Sequence, residues 1–446
     1  RILRQHSPLP LCRKPTMPAR PAAPQPAHTP PPQPLAPNHA AKPQTVHLVR
    51  QGAGDTGLGR GDEYGLRSLP PLSLYIHFPW CVRKCPYCDF NSHQPRSGFD
   101  EAGYIDALIA DVEAALPLIW GRRVSTIFMG GGTPSLFSAA ALDRLLRALD
   151  ARLNLLPDAE ITLEANPGTV EAQQFRDYRA AGINRLSIGV QSFSPSHLAA
   201  LGRIHSADEA RRAADIAHRH FETFNLDLMY ALPAQTLAQA LADVDVALSL
   251  SPTHLSAYHL TLEPNTQFAV TPPPNLPDDD LSADMQEAIE VRLGEAGFEH
   301  YETSAFARAG HAAQHNLNYW QFGDYLGIGA GAHSKLSFHD RIIRQMRPKQ
   351  PAAYLQAVAA GQPVHSEQVL AATALPFEFM MNALRLTGGF PLTLFSERTG
   401  LPLTAALAAL NLAEQRGLIV CDTLMVRPTL LGQRFLNDTL TLFLPD

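Results

Sequence analysis

Six short runs rich in apolar and β-branched residues stand in order along the middle of the chain: LSLYIHF at 72–78, VSTIFMG at 124–130, AEITLEA at 159–165, RLSIGVQ at 185–191, FNLDLMY at 224–230 and HLSAYHL at 254–260. Each is followed by a stretch whose apolar residues recur at three and four, the spacing of a helix with one buried face. Between the first two runs, Tyr104, Ile105, Leu108, Ile109, Val112 and Leu116 keep this period, and Pro117, with no amide hydrogen to donate, is expected to close the helix. Two later helices have readable starts. Ser206 with Glu209, and Thr236 with Gln239, have the spacing of a capping box, in which side chain and backbone satisfy each other's donors. Gly182 suits the residue past a helix end. Strand and helix alternating six times predicts a parallel sheet with right-handed crossovers, either an open doubly wound sheet or a curved barrel. Periodicity alone does not choose between them.

The pattern differs in the last hundred residues. Phe377 to Leu386 is helical in spacing, Gly388 and Gly389 interrupt it, and Leu392 to Arg398 and Leu403 to Gln415 form a helix pair around Gly400 and Pro402. The short strands LIVC and LMVR precede a final helix. Two helices and a hairpin predict a small, mainly helical, winged-helix-like domain, which brings nucleic-acid binding into consideration. Charge decides against it: from Pro376 onward there are five Arg, no Lys and six acids, whereas a DNA-reading face needs excess cations. A packing or substrate-covering module is the expectation, with Cys421 an inert residue of an apolar strand.

Composition adds a third region. The 446 residues are 45% hydrophobic and 17% charged, enough for a sizeable soluble core in two or three domains. The net charge of -6 conceals an asymmetry, because residues 1–70 hold nine Lys or Arg against three Asp or Glu. The same segment holds 14 of the 38 prolines and no helical or strand period, so it is expected to be a disordered extension. A dispensable extension, or a translational start at Met17 or later, is the favoured explanation, a transit peptide the lesser one. Cys12 falls here and is expected to be free. The chain has no run of about 18 uncharged apolar residues for a membrane span.

Candidate chemistry concentrates just after the first run. Cys81, Cys85 and Cys88 are three of five cysteines within eight residues, too close and too odd in number for a disulfide framework. An iron-sulfur cluster is the usual occupant of such a run; a zinc site completed by His77 or His93 is the alternative. Three cysteines would leave one iron without a protein ligand. In parallel sheets polar residues with chemical roles gather at the carboxyl ends of the strands. The second run ends in Gly130-Gly131-Gly132-Thr133, whose missing side chains let backbone approach a ligand. The third ends at Glu164, the fourth at Gln191 with Arg203 in the next loop, and the fifth carries Asp227 among apolar neighbours, where a carboxylate is costly without a donor.

The CxxxCxxC loop with Tyr87 before its last cysteine resembles the signature of the radical S-adenosylmethionine (SAM) enzymes. That resemblance implies an incomplete (β/α)6 barrel over roughly residues 71–300, a 4Fe-4S cluster on Cys81, Cys85 and Cys88, and SAM on the free iron. It also implies a cofactor shell of Tyr75, Tyr87, Gly131, Gly132, Thr133, Glu164, Gln191, Arg203 and Asp227. YIHFPWCVRKCPYCDFNSH, GGGTPS, EANPGT, SIGVQSF, LGRIH, FNLDLMY and the stretch from YETSAFA to GDYLGIGAGAHS are together similar to the HemN family, and within it to the heme-chaperone branch. The family's oxidases decarboxylate coproporphyrinogen III and carry a further cysteine two positions after the third cluster cysteine. Phe90 stands there, which puts the oxidase activity in doubt and implies a chaperone that binds heme and passes it to acceptor proteins. The oxidase is kept as the alternative, so enzyme status stays undecided.

In the connecting segment 301–350, HNLNYW at 315–320 matches a family motif associated with heme and makes His315 the candidate heme residue. By itself a histidine beside two aromatics is more often a hydrogen-bonded core residue. His77, His311 and His333 are weaker candidates, and the glycines from Gly327 to Gly331 imply either close backbone approach or a cofactor contact. Residues 351–446 would form the HemN-type C-terminal domain. The expected setting is cytoplasmic, with heme and heme acceptors as partners and no nucleic acid; a homodimer is left open.

Overall fold

The computed structural model describes residues 65–95, 98–169 and 172–445. The expectations for the extension up to residue 64, with Cys12, lie outside the described residues. The six apolar runs form parallel strands in sequence order: β1 (Leu72–Phe78), β2 (Arg123–Gly131), β3 (Asn154–Ala165), β4 (Arg185–Gln191), β5 (Thr223–Tyr230) and β6 (His254–His259). One face of the sheet buries Leu74, Ile76, Ile127, Met129, Leu163, Leu186 and Leu226 against the crossover helices. Both capping boxes form, on Ser206 and on Thr236. Pro117 does not close its helix, which runs Glu101–Ile119. A proline near the C-terminus removes a single backbone bond, and its φ already suits a helix, so the last turn survives it.

The sheet extends past the six runs. A further strand β9 (Asp324–Ile328) lies parallel to β1 on its free side, and β10 (His333–Ser337), β11 (Ile342–Met346) and β12 (Ser366–Val369) continue from it antiparallel. At the other edge β8 (Ala305–Ala307) and β7 (Glu299–Glu302) follow β6. The two edge strands of this twelve-stranded sheet do not pair with each other, so the barrel is open. Its inner face wraps the helix Gln314–Trp320: Thr126 of β2 bonds His315, Glu160 of β3 accepts from the amides of Gln314 and His315, and Ser73 of β1 accepts from Asn318. That helix closes the amino-terminal end of the barrel and leaves the carboxyl ends of the strands free.

The C-terminal part has its own core, with Phe379, Phe390 and Phe395 packed edge to face. Helices Leu375–Ala383, Leu392–Thr399 and Thr404–Gln415 pack on a three-stranded antiparallel sheet of Phe390–Pro391, Met425–Pro428 and Ile419–Cys421. Phe322 and Ile342 join this core from the barrel side, as does Leu66, whose amide bonds His339 O at 2.9 Å.

Candidate functional site

The cysteine loop leaves β1 at Phe78 and is held at its back. His93 N bonds Pro79 O at 2.6 Å and Cys81 N bonds His93 O at 3.0 Å, while Asn91 Nδ2 donates to Ala330 O and Lys349 O, both at 2.9 Å. Trp80 stacks on Phe99 with centroids 4.5 Å apart and meets the edge of Tyr104. The three thiols face the other way and line one cavity of about 150 Å³. Tyr87, Gly131, Gly132 and Thr133 line it as well, as do Glu164, Gln191, Arg203 and Asp227. Of the nine residues assigned to a cofactor shell, only Tyr75 stands behind, its hydroxyl donating to His77 Nδ1 at 2.9 Å.

The donor chemistry around the thiols fits an iron-sulfur cluster. Thr133 Oγ1 donates to Cys81 Sγ at 3.4 Å, and Arg203 Nη1 to Cys85 Sγ at 3.6 Å. Arg203 Nε is buried without a partner, an orphaned donor on the guanidinium that reaches Cys85. Burial raises the Cys81 and Cys88 thiols above their ordinary value, a cost that binding to iron removes because it takes the proton away. Among the described residues no three Cys, His, Asp or Glu side chains stand close enough to share one ion. Cluster thiolates each bind a different iron and so stand further apart than ligands of a single zinc. The proposed fourth zinc ligands are also committed: His77 Nε2 donates to Asn91 O at 2.8 Å, and His93 Nε2 bonds Asn91 Oδ1 at 3.2 Å.

The strand ends supply the rest of the cavity. Gly131 has φ +109°, and a Cβ there would lie 2.3 Å from the His77 ring. Its amide donates to Glu164 Oε2 at 3.0 Å. Burial, with Asp227 adding to it, pushes the Glu164 carboxyl up to about 7. Burial raises Asp227 too, against bonds from Asn225 (2.7 Å) and Ser187 (3.2 Å). Two carboxyls this short of cationic partners suit a ligand that brings an ammonium group or several hydroxyls. Gln191 closes β4 at φ 68°, after a register shift between Gly189 and Gln191. A non-glycine residue in that region is uncommon and gathers at functional sites. Asn166 and Gly189 also line the cavity, and neither was singled out from the sequence. Asn166 lies in the EANPGT motif two residues past Glu164, and that position was its available signal.

A second cavity of about 860 Å³ opens beyond the first, walled by Phe128, Asp227, Met229, His254 and Tyr258 of the strands and by Gln433 to Asp438 of the C-terminal domain. Phe90, 57% exposed, lines both cavities. His315 is 1% exposed beneath Phe128, with ring centroids 5.1 Å apart. Thr126 gives its proton to Ser73 and so accepts from His315 Nδ1 at 2.7 Å; the Nε2 lone pair then accepts from the Tyr319 hydroxyl at 3.1 Å. His315 lines neither cavity, although Ala313 and Asn316 line the larger one. His311 bonds Thr223 at 3.0 Å, and His333 is exposed on β10. The glycine run serves close backbone approach: a Cβ on Gly329 would lie 2.4 Å from His77 O, and one on Gly331 2.3 Å from Asn91 Nδ2.

Residues 75–247 match the model of the radical SAM superfamily, and 370–435 that of the HemN C-terminal domain. The structure of coproporphyrinogen III oxidase (HemN) from Escherichia coli superposes with a TM-score of 0.72 at 24% identity, covering 84% of this chain and 90% of that one. Fold and three-cysteine site thus define a radical SAM protein with a HemN-type C-terminal domain. The heme chaperone HemW of Escherichia coli is 50% identical over 380 residues, covering 85% of this chain and 99% of that protein. HemW of Haemophilus influenzae is 48% identical over 384 residues, with the same coverage of each chain. The chain belongs to the HemW family.

Proposed function

We propose that this protein is a heme chaperone that binds heme and passes it to acceptor proteins, and that it carries a 4Fe-4S cluster and SAM. The likeness to proteins named for that role, along almost their whole length, carries the reading. Phe90 supports it against the oxidase alternative, since at the junction of the two cavities it puts an apolar ring where the oxidases have a thiol.

Cys81, Cys85 and Cys88 would hold the cluster. SAM would lie over Gly131, Gly132 and Thr133, with Glu164, Gln191, Arg203 and Asp227 around it, Tyr87 beside the cluster and Tyr75 behind. When bound, the pair supplies one-electron cleavage of the sulfonium. The Tyr75 hydroxyl and Asn91 O fix His77 in its Nε2-protonated form, and burial lowers its pKa to about 4, so the wall behind Gly131 stays uncharged. Phe90 and the C-terminal segment at 433–438 line the larger cavity, where a flat ligand has room. His315 is the proposed heme imidazole. To reach iron its Nε2 would have to give up the Tyr319 hydroxyl and be uncovered from beneath Phe128, since His315 lines neither cavity. The expected partners are heme and heme-acceptor proteins in the cytoplasm; among the described residues no helix is long and apolar enough to cross a membrane.

The test is anaerobic reconstitution followed by heme titration, alongside incubation with SAM, reductant and coproporphyrinogen III. Saturable heme binding without conversion of the porphyrinogen is expected. Formation of protoporphyrinogen would establish the oxidase instead.

A further inference from the structure

Arg203 and Thr133 each donate a hydrogen bond to a cluster cysteine, and these two donors are joined through one residue. Arg203 Nη1 points at Cys85 Sγ and Thr133 Oγ1 at Cys81 Sγ. Between them sits Asn166: its Oδ1 accepts from Arg203 Nη2, and its Nδ2 donates to Thr133 Oγ1 at 2.9 Å. The amide orientation follows from chemistry, because a guanidinium only donates and so must face the oxygen of the amide. The nitrogen then faces Thr133 and occupies an acceptor site of its hydroxyl. Thr133 has one proton, and with its oxygen already accepting from Asn166 that proton goes to Cys81. Gly189 O takes a further bond from Arg203 Nη2 at 2.7 Å and holds the guanidinium in register. A Cβ on Gly189 would press on the end of the Gln191 side chain, 3.1 Å from Nε2, and would stand in ordinary contact with Asn166 Oδ1 at 3.4 Å and Arg203 Nη2 at 3.5 Å.

We propose that Asn166 is a positioning residue for the cluster's electron affinity: through Arg203 on one side and Thr133 on the other it holds hydrogen-bond donors on Cys85 and Cys81 and raises the cluster's reduction potential. The physical basis is that reduction adds one negative charge to the cluster, and donors aimed at its sulfurs stabilise the more negative state. Asn166 itself touches no cysteine in this chain of bonds; it acts by deciding where the Thr133 proton goes. Asn166→Asp reverses that decision. A carboxylate keeps the Arg203 contact but can only accept, so it takes the Thr133 proton away from Cys81. This inference rests on the cluster reading and is independent of the heme-transfer reading.

The test uses the full chain reconstituted anaerobically with iron and sulfide. Iron is quantified, and the midpoint is read by EPR during titration with dithionite, which supplies the electron. Thr133→Val and Asn166→Asp should each lower the midpoint with iron content unchanged. The expected size is a tenfold fall in the reduced-to-oxidised ratio at fixed potential, about 59 mV for one electron. Thr133→Ser, which keeps the hydroxyl, should stay near the parent value. Asn166→Asp also adds a charge, so the double variant separates the two effects: through the relay, Asn166→Asp adds less on top of Thr133→Val than in the parent, whereas a bare charge effect adds equally in both. Equal addition, unchanged midpoints at full iron, or a loss of iron in Thr133→Val and Thr133→Ser alike would overturn the proposal. A parent chain that takes up no iron would overturn the cluster reading, and the relay with it.

Discussion

At the scale of single residues, the buried histidines set limits on how the protein tolerates acid. Burial drives the His315 pKa down to about 3, well below the unfolded value. The unfolded chain therefore binds the extra proton first, so the stability held by neutral His315 is complete above about pH 6.5 and falls as pH drops from there towards 3. The loss should reach about 2 kcal/mol by pH 5, read as a shift in the urea midpoint, and His315→Asn should flatten that part of the profile. His315→Ala should cost roughly 2–4 kcal/mol at neutral pH, since it leaves a gap under Phe128, strands the Tyr319 hydroxyl and removes the donor to Thr126, which keeps its bond to Ser73. Heme affinity is therefore best measured on His315→Asn at a pH where the fold is intact. Gly131→Ala should displace the His77 ring and abolish SAM binding in equilibrium dialysis while iron loading persists. The site was legible wherever chemistry coincided with a motif, as at the cysteines, Glu164 and Asp227. Asn166 was not, because its part depends on a three-way hydrogen bond that residue order does not express.

At the scale of elements, the floor of the barrel is pinned by charge. Asp324, the first residue of β9, accepts from Lys335 at 2.9 Å and Arg122 at 2.8 Å, and both it and Lys335 are almost fully buried. Burial alone would raise its carboxyl; the two cations more than offset that and hold it below the usual carboxylate range. Its contribution is thus present above about pH 4 and lost as pH falls through the lowered pKa, a lower window than that of His315. Asp324→Ala leaves Lys335 buried without its carboxylate and should destabilise by about 3–5 kcal/mol, measured by urea denaturation. The six β-α units were legible because each strand carries an apolar, β-branched or aromatic run with one face packed under the crossover helices. Strands β7, β10 and β12 were not: EHYE, HSKLS and SEQV are polar and short, and β12 is exposed at every position. Their pairing comes from the neighbouring edge of the sheet rather than from their own composition.

At the scale of the whole molecule, the C-terminal domain is tied to the barrel by backbone bonds such as Thr387 N to Tyr301 O and by ion pairs. Arg385 pairs with Glu302 at 3.0 Å and lies over Trp320 at 4.3 Å, and Arg434 pairs with Glu287 at 2.9 Å across the rim of the larger cavity. Arg385→Ala should cost about 2 kcal/mol, less than a fully buried pair because the guanidinium is partly exposed, and should speed proteolysis within residues 370–435 more than within the barrel. Arg434→Ala should leave stability almost unchanged, since that pair is largely solvated. The place of β9 beside β1 also has a consequence in time. Leu72 pairs with Asp324, and Asn91 is clamped by Ala330 and Lys349, so the cysteine loop gains its backing only when segments about 250 residues downstream have been made. At about 5–20 residues per second of synthesis, that is a delay on the order of 10–50 s. During it the three thiols are translated but lack that backing. Iron delivered to the chain before residue 349 is made would meet cysteines without a finished cavity, so insertion of the proposed cluster is expected to follow synthesis of that segment.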